Sequence, residues 1–129
     1  NNQPSEKYDL LIILSSFQVL SIFHGWEKWS NIFYERSRLL KLLNNNKLSI
    51  ILSGDRHVAG IYNYKNIYEI TASSFIQKPF YIFEKDNLRV GDLIKKNNFG
   101  IIKLDKNNIE IKIVSSKNKE VFKSIRLNY

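Results

Sequence analysis

Cysteine and methionine are both absent from this sequence of 129 residues. The lack of cysteine excludes disulfide bonds and thiolate metal ligands. The chain begins with asparagine and contains no methionine at which a reading frame could start. We therefore expect it to be a piece of a longer protein.

Long apolar runs are also missing. The longest run, Leu10 to Leu14, has the length of a strand, whereas a transmembrane helix needs about 20 apolar residues. No stretch has the basic, apolar and small-residue regions of a signal peptide. We therefore expect neither kind of segment within this sequence.

Basic residues exceed acidic ones, and the net charge is +8. Such a surface can favour anionic substrates or nucleic acid. The lysines are scattered along the sequence rather than clustered, so nucleic acid is an unexpected partner. An RNA-contacting α+β domain is kept as a third hypothesis, since aromatic residues make up 13% of the chain.

The first half of the chain has the pattern of a β-α-β unit. The apolar run from Tyr8 to Ser15 predicts a strand buried on both faces. Helical spacing of apolar residues predicts a helix that begins at Ser30 or Asn31, with Ser30 as N-cap, and ends at residues 44–46. Leu48 to Leu52 predicts a second buried strand, parallel to the first because such crossovers are right-handed.

The second half predicts a different arrangement. Residues 58–64 can form either a strand or a loop, and Ile67 to Thr71 predicts a short strand. Residues 99–105 and 109–114 alternate apolar and polar side chains around a turn, as in an antiparallel hairpin, and residues 120–127 predict a third strand. The expected fold class is α/β (α+β), in one partial domain over residues 1–129.

The residues most suited to chemistry follow the second buried strand. Gly54 breaks that strand, and Asp55, Arg56 and His57 come directly after it. Polar groups at the carboxyl end of a buried strand are where many α/β proteins bind a metal or a phosphate. Imidazole and carboxylate are common metal ligands. A turn in which Asp55 caps a backbone amide is the alternative.

Six ordered blocks resemble the carboxyl-terminal part of the PhoD-like alkaline phosphatases, a branch of the calcineurin-type metallophosphoesterases. Their order and approximate spacing match over about residues 9–114. The blocks are Ser16-Phe17-Gln18-Val19-Leu20, His24-Gly25-Trp26-Glu27-Lys28-Trp29, Glu35-Arg36-Ser37-Arg38-Leu39-Leu40, Leu52-Ser53-Gly54-Asp55-Arg56-His57, Tyr68-Glu69-Ile70-Thr71-Ala72-Ser73-Ser74 and Asn98-Phe99-Gly100.

The resemblance implies a β-sandwich flanked by helices, of which this chain would form the carboxyl-terminal half. It also implies hydrolysis of phosphate mono- or diesters by a metal-activated water. His57 stands at the second histidine of the superfamily's Gly-His-x-His motif, and Asp55 replaces the first. Both are therefore the expected metal ligands and catalytic residues. An oxygen ligand at residue 55 suits divalent or ferric ions, calcium and iron above all.

The resemblance further suggests that Arg56 and Gln18 contact the phosphate of the substrate. It suggests export or a periplasmic location for the parent protein. The superfamily's early motifs, Asp-x-His, Gly-Asp-x-x-Tyr and Asn-His-Asp or Asn-His-Glu, would precede Asn1, and none occurs here. We therefore expect the fragment to be inactive alone. The competing hypothesis is a non-catalytic basic binding or structural module.

Overall fold

The strands of this protein form two sheets. The structure is a computed structural model, and it describes residues 7–23, 25–76 and 83–129. The elements are β1 (Leu10–Ser15), a 3₁₀ helix (Trp29–Asn31), α1 (Phe33–Asn44), β2 (Leu48–Ser53), β3 (Ala59–Tyr64), β4 (Ile67–Ala72), β5 (Asn98–Leu104), β6 (Asn108–Ser115) and β7 (Val121–Asn128).

Sheet A contains β1, β2, β4 and β3 in that spatial order. β1 and β4 both pair with β2 in parallel, and β3 pairs with β4 in antiparallel orientation. The predicted β-α-β unit with parallel strands is therefore confirmed. For residues 58–64 the sequence allowed a strand or a loop, and residues 59–64 form strand β3.

Sheet B is an antiparallel meander of β5, β6 and β7. Leu104 pairs with Ile109 across the β5–β6 turn, and Ile109 pairs in turn with Leu127. This confirms the predicted hairpin and third strand, and with them the mixed α/β fold class.

The two faces of sheet A pack against different partners. Ile50 belongs to a core cluster that includes Ile109, Ile111 and Ile113 of sheet B. Its neighbour Ile51 belongs to a second cluster that includes side chains of α1. Successive strand residues point to opposite faces, so sheet A lies between sheet B and the helix.

Two predictions about the first β-α-β unit were wrong in detail. β1 is an edge strand that, within the described residues, pairs only with β2, and Leu14 on it is 81% exposed rather than buried. The N-cap of α1 is Ile32, not Ser30, and it makes no side-chain cap hydrogen bond. The Ser30 hydroxyl donates to the carbonyl of Ser21 instead, because a 3₁₀ turn precedes the helix.

Residues 77–90 are described only from Phe83 onward, where the chain forms no helix or multi-residue strand. This stretch is tied to sheet A by an isolated bridge between Tyr62 and Arg89. His24 also lies outside the described residues. In the part of the chain that the structure describes, no helix is long and apolar enough to cross a membrane.

Candidate functional site

The carboxyl ends of three parallel strands meet at Gly54. Ser15 of β1 pairs with Ser53 of β2, which is in register with Thr71 of β4. A side-chain carbon added at Gly54 would lie 3.9 Å from the carbonyl oxygen of Ser16 and 3.9 Å from the Cβ of Ser73. The chain therefore leaves β2 through a gap between the residues that follow β1 and β4.

The loop after Gly54 has an unusual backbone. Asp55 and His57 both have positive φ, of 68° and 53°, a region that costs a non-glycine residue about 1 kcal/mol or more. Between them, the amide of Arg56 donates to the carbonyl of Gly54 at 2.9 Å. Asp55 is exposed, Arg56 is buried and His57 is half-buried, so the loop alternates between inward and outward residues.

Arg56 is held by two buried partners. Its Nε donates to Oε1 of Gln18 at 3.2 Å, and its Nη2 donates to Oε2 of Glu84 at 2.7 Å. The side chains of Arg56 and Glu84 are only 4% and 0% exposed. Gln18, which is fully buried, also donates from Nε2 to the hydroxyl of Thr71 at 2.8 Å. The loop is thus connected to the ends of both β1 and β4.

Glu84 has further partners. Its Oε1 accepts hydrogen bonds from the hydroxyl of Tyr62 at 2.9 Å and from Nη1 of Arg89 at 3.4 Å. Burial, followed by the negative charge of Glu84, raises the pKa of the Tyr62 hydroxyl far above its ordinary value, so Tyr62 remains a hydrogen-bond donor at any physiological pH. Both carboxylate oxygens of Glu84 are therefore engaged, as a buried charge requires.

The segment that follows β1 is anchored by Glu69 of β4. The amide of Val19 donates to Oε1 of Glu69 at 2.9 Å, and the amide of Leu20 donates to Oε2 at 2.6 Å. Arg36 on α1 donates to the carbonyls of the same two residues, at 2.6 and 3.0 Å. Burial raises the pKa of Glu69, and these two amides act in the opposite direction.

Asp86 extends this anchoring to the next two residues. One of its carboxylate oxygens accepts the hydroxyl of Ser21 at 2.8 Å and the amide of Ile22 at 3.0 Å. The peptide groups of residues 19–22, which lie outside regular secondary structure, thus gain side-chain partners in place of strand partners. Gln18, at the start of this segment, is fixed in position as a result.

Two potential metal ligands lie on the loop itself. Asp55 offers an exposed carboxylate and His57 a half-buried imidazole, a donor pair that divalent and ferric ions accept. Within residues 7–23, 25–76 and 83–129 no group of three or more histidine, cysteine, aspartate or glutamate side chains could hold a metal. The loop could therefore supply part of a metal site, which other ligands would have to complete.

The four predicted site residues lie together at the carboxyl edge of sheet A. Gln18 and Arg56 hydrogen-bond to each other and are buried, whereas Asp55 and His57 lie nearer the surface. Sequence reasoning missed the anchoring roles of Glu69 and Glu84. A charged residue inside the apolar strand β4 was an available signal for Glu69. Glu84 follows an irregular, aromatic stretch without periodicity, and no pattern marked it.

The fold has a counterpart among solved structures. The chain is similar to GAP50. That protein is described as the anchor in the inner membrane complex of Plasmodium, and the match has a TM-score of 0.76 at 22% identity. It covers 93% of this chain but only 36% of the GAP50 chain. At this identity the likeness shows a shared fold and no more.

A second solved structure is a conserved protein of Streptococcus pneumoniae described as a predicted phosphoesterase. It matches with a TM-score of 0.48 and 14% identity, over 77% of this chain and 49% of that one. A score this low supports no conclusion about this chain. This chain thus spans about a third of GAP50 and half of the streptococcal protein. No family model and no curated protein matches the sequence.

Proposed function

We propose that this chain is the carboxyl-terminal part of a PhoD-like metallophosphatase domain. The parent protein would hydrolyse phosphate mono- or diesters. Asp55 and His57 would contribute to its metal site, with calcium or iron as the expected ions. The remaining ligands would come from the parent's residues before Asn1, so the chain alone would be inactive.

One observation carries the proposal. Residues from four separate sequence blocks of the resemblance meet around residues 18–20, and Gln18 connects this segment to the loop. Gln18 binds Arg56, and the residues directly after Gln18 bind both Arg36 and Glu69. Sequence blocks that match a family only in their order along the chain need not lie close together in the fold. Their convergence on residues 18–20, next to the loop of His57, supports a common site.

The chain's own residues would act on the metal in a limited way. A neutral imidazole at His57 and an ionised carboxylate at Asp55 would each donate a lone pair to the ion. A bound ion of this class would supply an activated water and would offset charge on the phosphoryl oxygens. Because the buried contacts of Arg56 restrain the loop backbone, both ligands would be pre-positioned before the metal binds.

The test uses the full-length protein and a chromogenic phosphate diester. His57→Ala should lower turnover by at least about a hundredfold, since metal ligation is lost, and Asp55→Ala should lower it too. Asp105→Ala is the matched control, because Asp105 is an exposed carboxylate in the β5–β6 turn. Unchanged turnover in the His57 variant would refute the assignment.

A non-catalytic binding or structural module is the second candidate. It is favoured by the absence, within the described residues, of a three-ligand metal group. It is also consistent with the fold shared with GAP50, which is described as an anchor. The reading frame upstream of Asn1 discriminates between the two: Asp-x-His and Asn-His-Asp motifs there support the phosphatase, and their absence supports the module.

A further inference from the structure

Glu84 is a buried carboxylate that belongs to none of the six sequence blocks and carries no role in the proposed chemistry. We propose that Glu84 is a positioning residue: by fixing Arg56 it holds the loop of residues 54–57 in the shape that presents Asp55 and His57 to a metal. The part concerning the metal rests on the proposed function. The part concerning the loop does not.

The backbone conformation of the loop is unfavourable. Two residues with positive φ flank Arg56, and such conformations persist only where the surroundings impose them. Arg56 is the buried side chain of the loop, at 5% exposure. Arg56 can therefore restrain both unfavourable backbone positions, which flank it directly.

The buried charge of Arg56 depends on Glu84 for its ionic partner. Its charge lies in the interior, where an unpaired guanidinium is strongly unfavourable. Gln18 offers Arg56 only a neutral oxygen, at 3.2 Å, whereas Glu84 offers a charge at 2.7 Å. Without the Glu84 carboxylate, the guanidinium would be driven toward water, and the backbone of residue 56 would turn with it.

Glu84 is held in place by contacts other than the one with Arg56. Tyr62 on β3 and Arg89 on the following segment both bind it, and Nη2 of Arg89 also donates to its backbone carbonyl at 2.8 Å. Glu84 is thus attached to sheet A independently of the loop. It can serve as a fixed point from which Arg56 is oriented.

The same contacts argue against direct binding of substrate by Arg56. Its side chain is 4% exposed, and its Nη2 already donates to a carboxylate. A phosphate bound at this Nη2 would have to displace Glu84 and leave its Oε2 without the guanidinium partner. In this account Arg56 orients the loop, and Gln18 supports it.

The experiment compares Glu84→Gln with wild type in the full-length protein, with two readouts. Amide hydrogen exchange of residues 54–58 should become at least about tenfold faster in the variant. The dissociation constant for Mn²⁺, a probe that carboxylate and imidazole both accept, should rise about tenfold, the usual effect of removing a partner behind a metal ligand. Glu110→Gln is the matched control, because Glu110 pairs with Lys112 and Arg126 on sheet B.

A double variant separates positioning from stability. Arg56→Met combined with Glu84→Gln removes both charges of the pair together and keeps an amide oxygen for Tyr62 and Arg89, so neither charge of the pair is left buried alone. We expect its melting temperature to return toward wild type while Mn²⁺ affinity stays low. Restored affinity in the double variant would show that only charge balance matters, and would overturn the proposal.

The two proposals fail in distinguishable ways. Unchanged exchange of residues 54–58 in Glu84→Gln overturns the positioning role, whatever the metal does. Faster exchange in a protein whose wild type binds no Mn²⁺ supports the positioning of the loop and overturns the metal site. Faster exchange together with weakened Mn²⁺ binding supports both.

Discussion

Replacing Glu69 by glutamine should destabilise the chain by about 2 kcal/mol. The two carboxylate oxygens accept the amides of Val19 and Leu20, one each, and the side chain is fully buried. Glutamine keeps one acceptor and turns an NH₂ group toward the other amide. One buried N–H then loses its partner, which costs about 1–3 kcal/mol.

This magnitude is measurable by thermal and urea unfolding at pH 7. For a chain of this size, about 2 kcal/mol lowers the melting temperature by roughly 8 °C. The urea midpoint should fall by about 1 M with an unchanged m-value, because the surface exposed on unfolding stays the same. Glu110→Gln serves as the control, since that side chain is 19% exposed and its ion pairs are near the surface.

The control should lose no more than about 1 kcal/mol, as expected for exposed ion pairs. If Glu69→Gln remains within about 0.5 kcal/mol of wild type, the typical scatter of surface changes, the account is refuted. The backbone of residues 19 and 20 would then be held by something other than this carboxylate.

Three further predictions concern the rest of the fold. Asn46→Ala should cost about 2 kcal/mol in unfolding free energy, because the side chain bonds three backbone groups; an unchanged melting temperature would contradict this. Ile111→Ala should cost about 2–5 kcal/mol, and Ile101→Ala, at an exposed site on β5, under about 0.5; equal losses would refute the assigned core. Burial raises the pKa of Glu69 above 4.5, so the folded form binds its proton more tightly. The stability of wild type relative to Glu69→Gln should therefore fall as pH rises from about 4.5 through that raised pKa; a difference that grows with pH would contradict the direction of the shift.

The elements that sequence reasoning predicted best are those with a clear period. In β6 the apolar residues Ile109, Ile111 and Ile113 recur at every second position and all face sheet A. β2 has apolar residues on both faces, Ile50 on one and Ile51 on the other, because it is covered on both faces, as the sequence indicated. In both strands the apolar residues occupy the buried positions, so the strand could be recognised from the sequence pattern.

The predictions that failed concern places where the partner of a residue is distant in sequence. The run of apolar residues in β1 resembles that in β2, yet Leu14 is exposed at the sheet edge. Serine is a common N-cap residue, but the hydroxyl of Ser30 donates a hydrogen bond to the carbonyl of Ser21. Neither outcome follows from local propensity, since each depends on how segments pack.

The candidate site divides in the same way. Gly54 to His57 could be identified by type and position alone. The support behind them could not, because Glu84 joins Arg56 across 28 residues of chain and lies in a stretch without pattern. The three-dimensional fold determines which polar groups pair in the interior. The sequence indicates only that a buried charged side chain needs a partner.

We propose that residues 54–57 form part of a metal site. It is tested most directly by the metal content of the full-length protein, measured by mass spectrometry after purification in parallel with His57→Ala. The account predicts bound calcium or iron in wild type and the loss of at least one equivalent in the variant. Equal metal content in both proteins, or turnover of a phosphate ester by wild type without any metal, would contradict it.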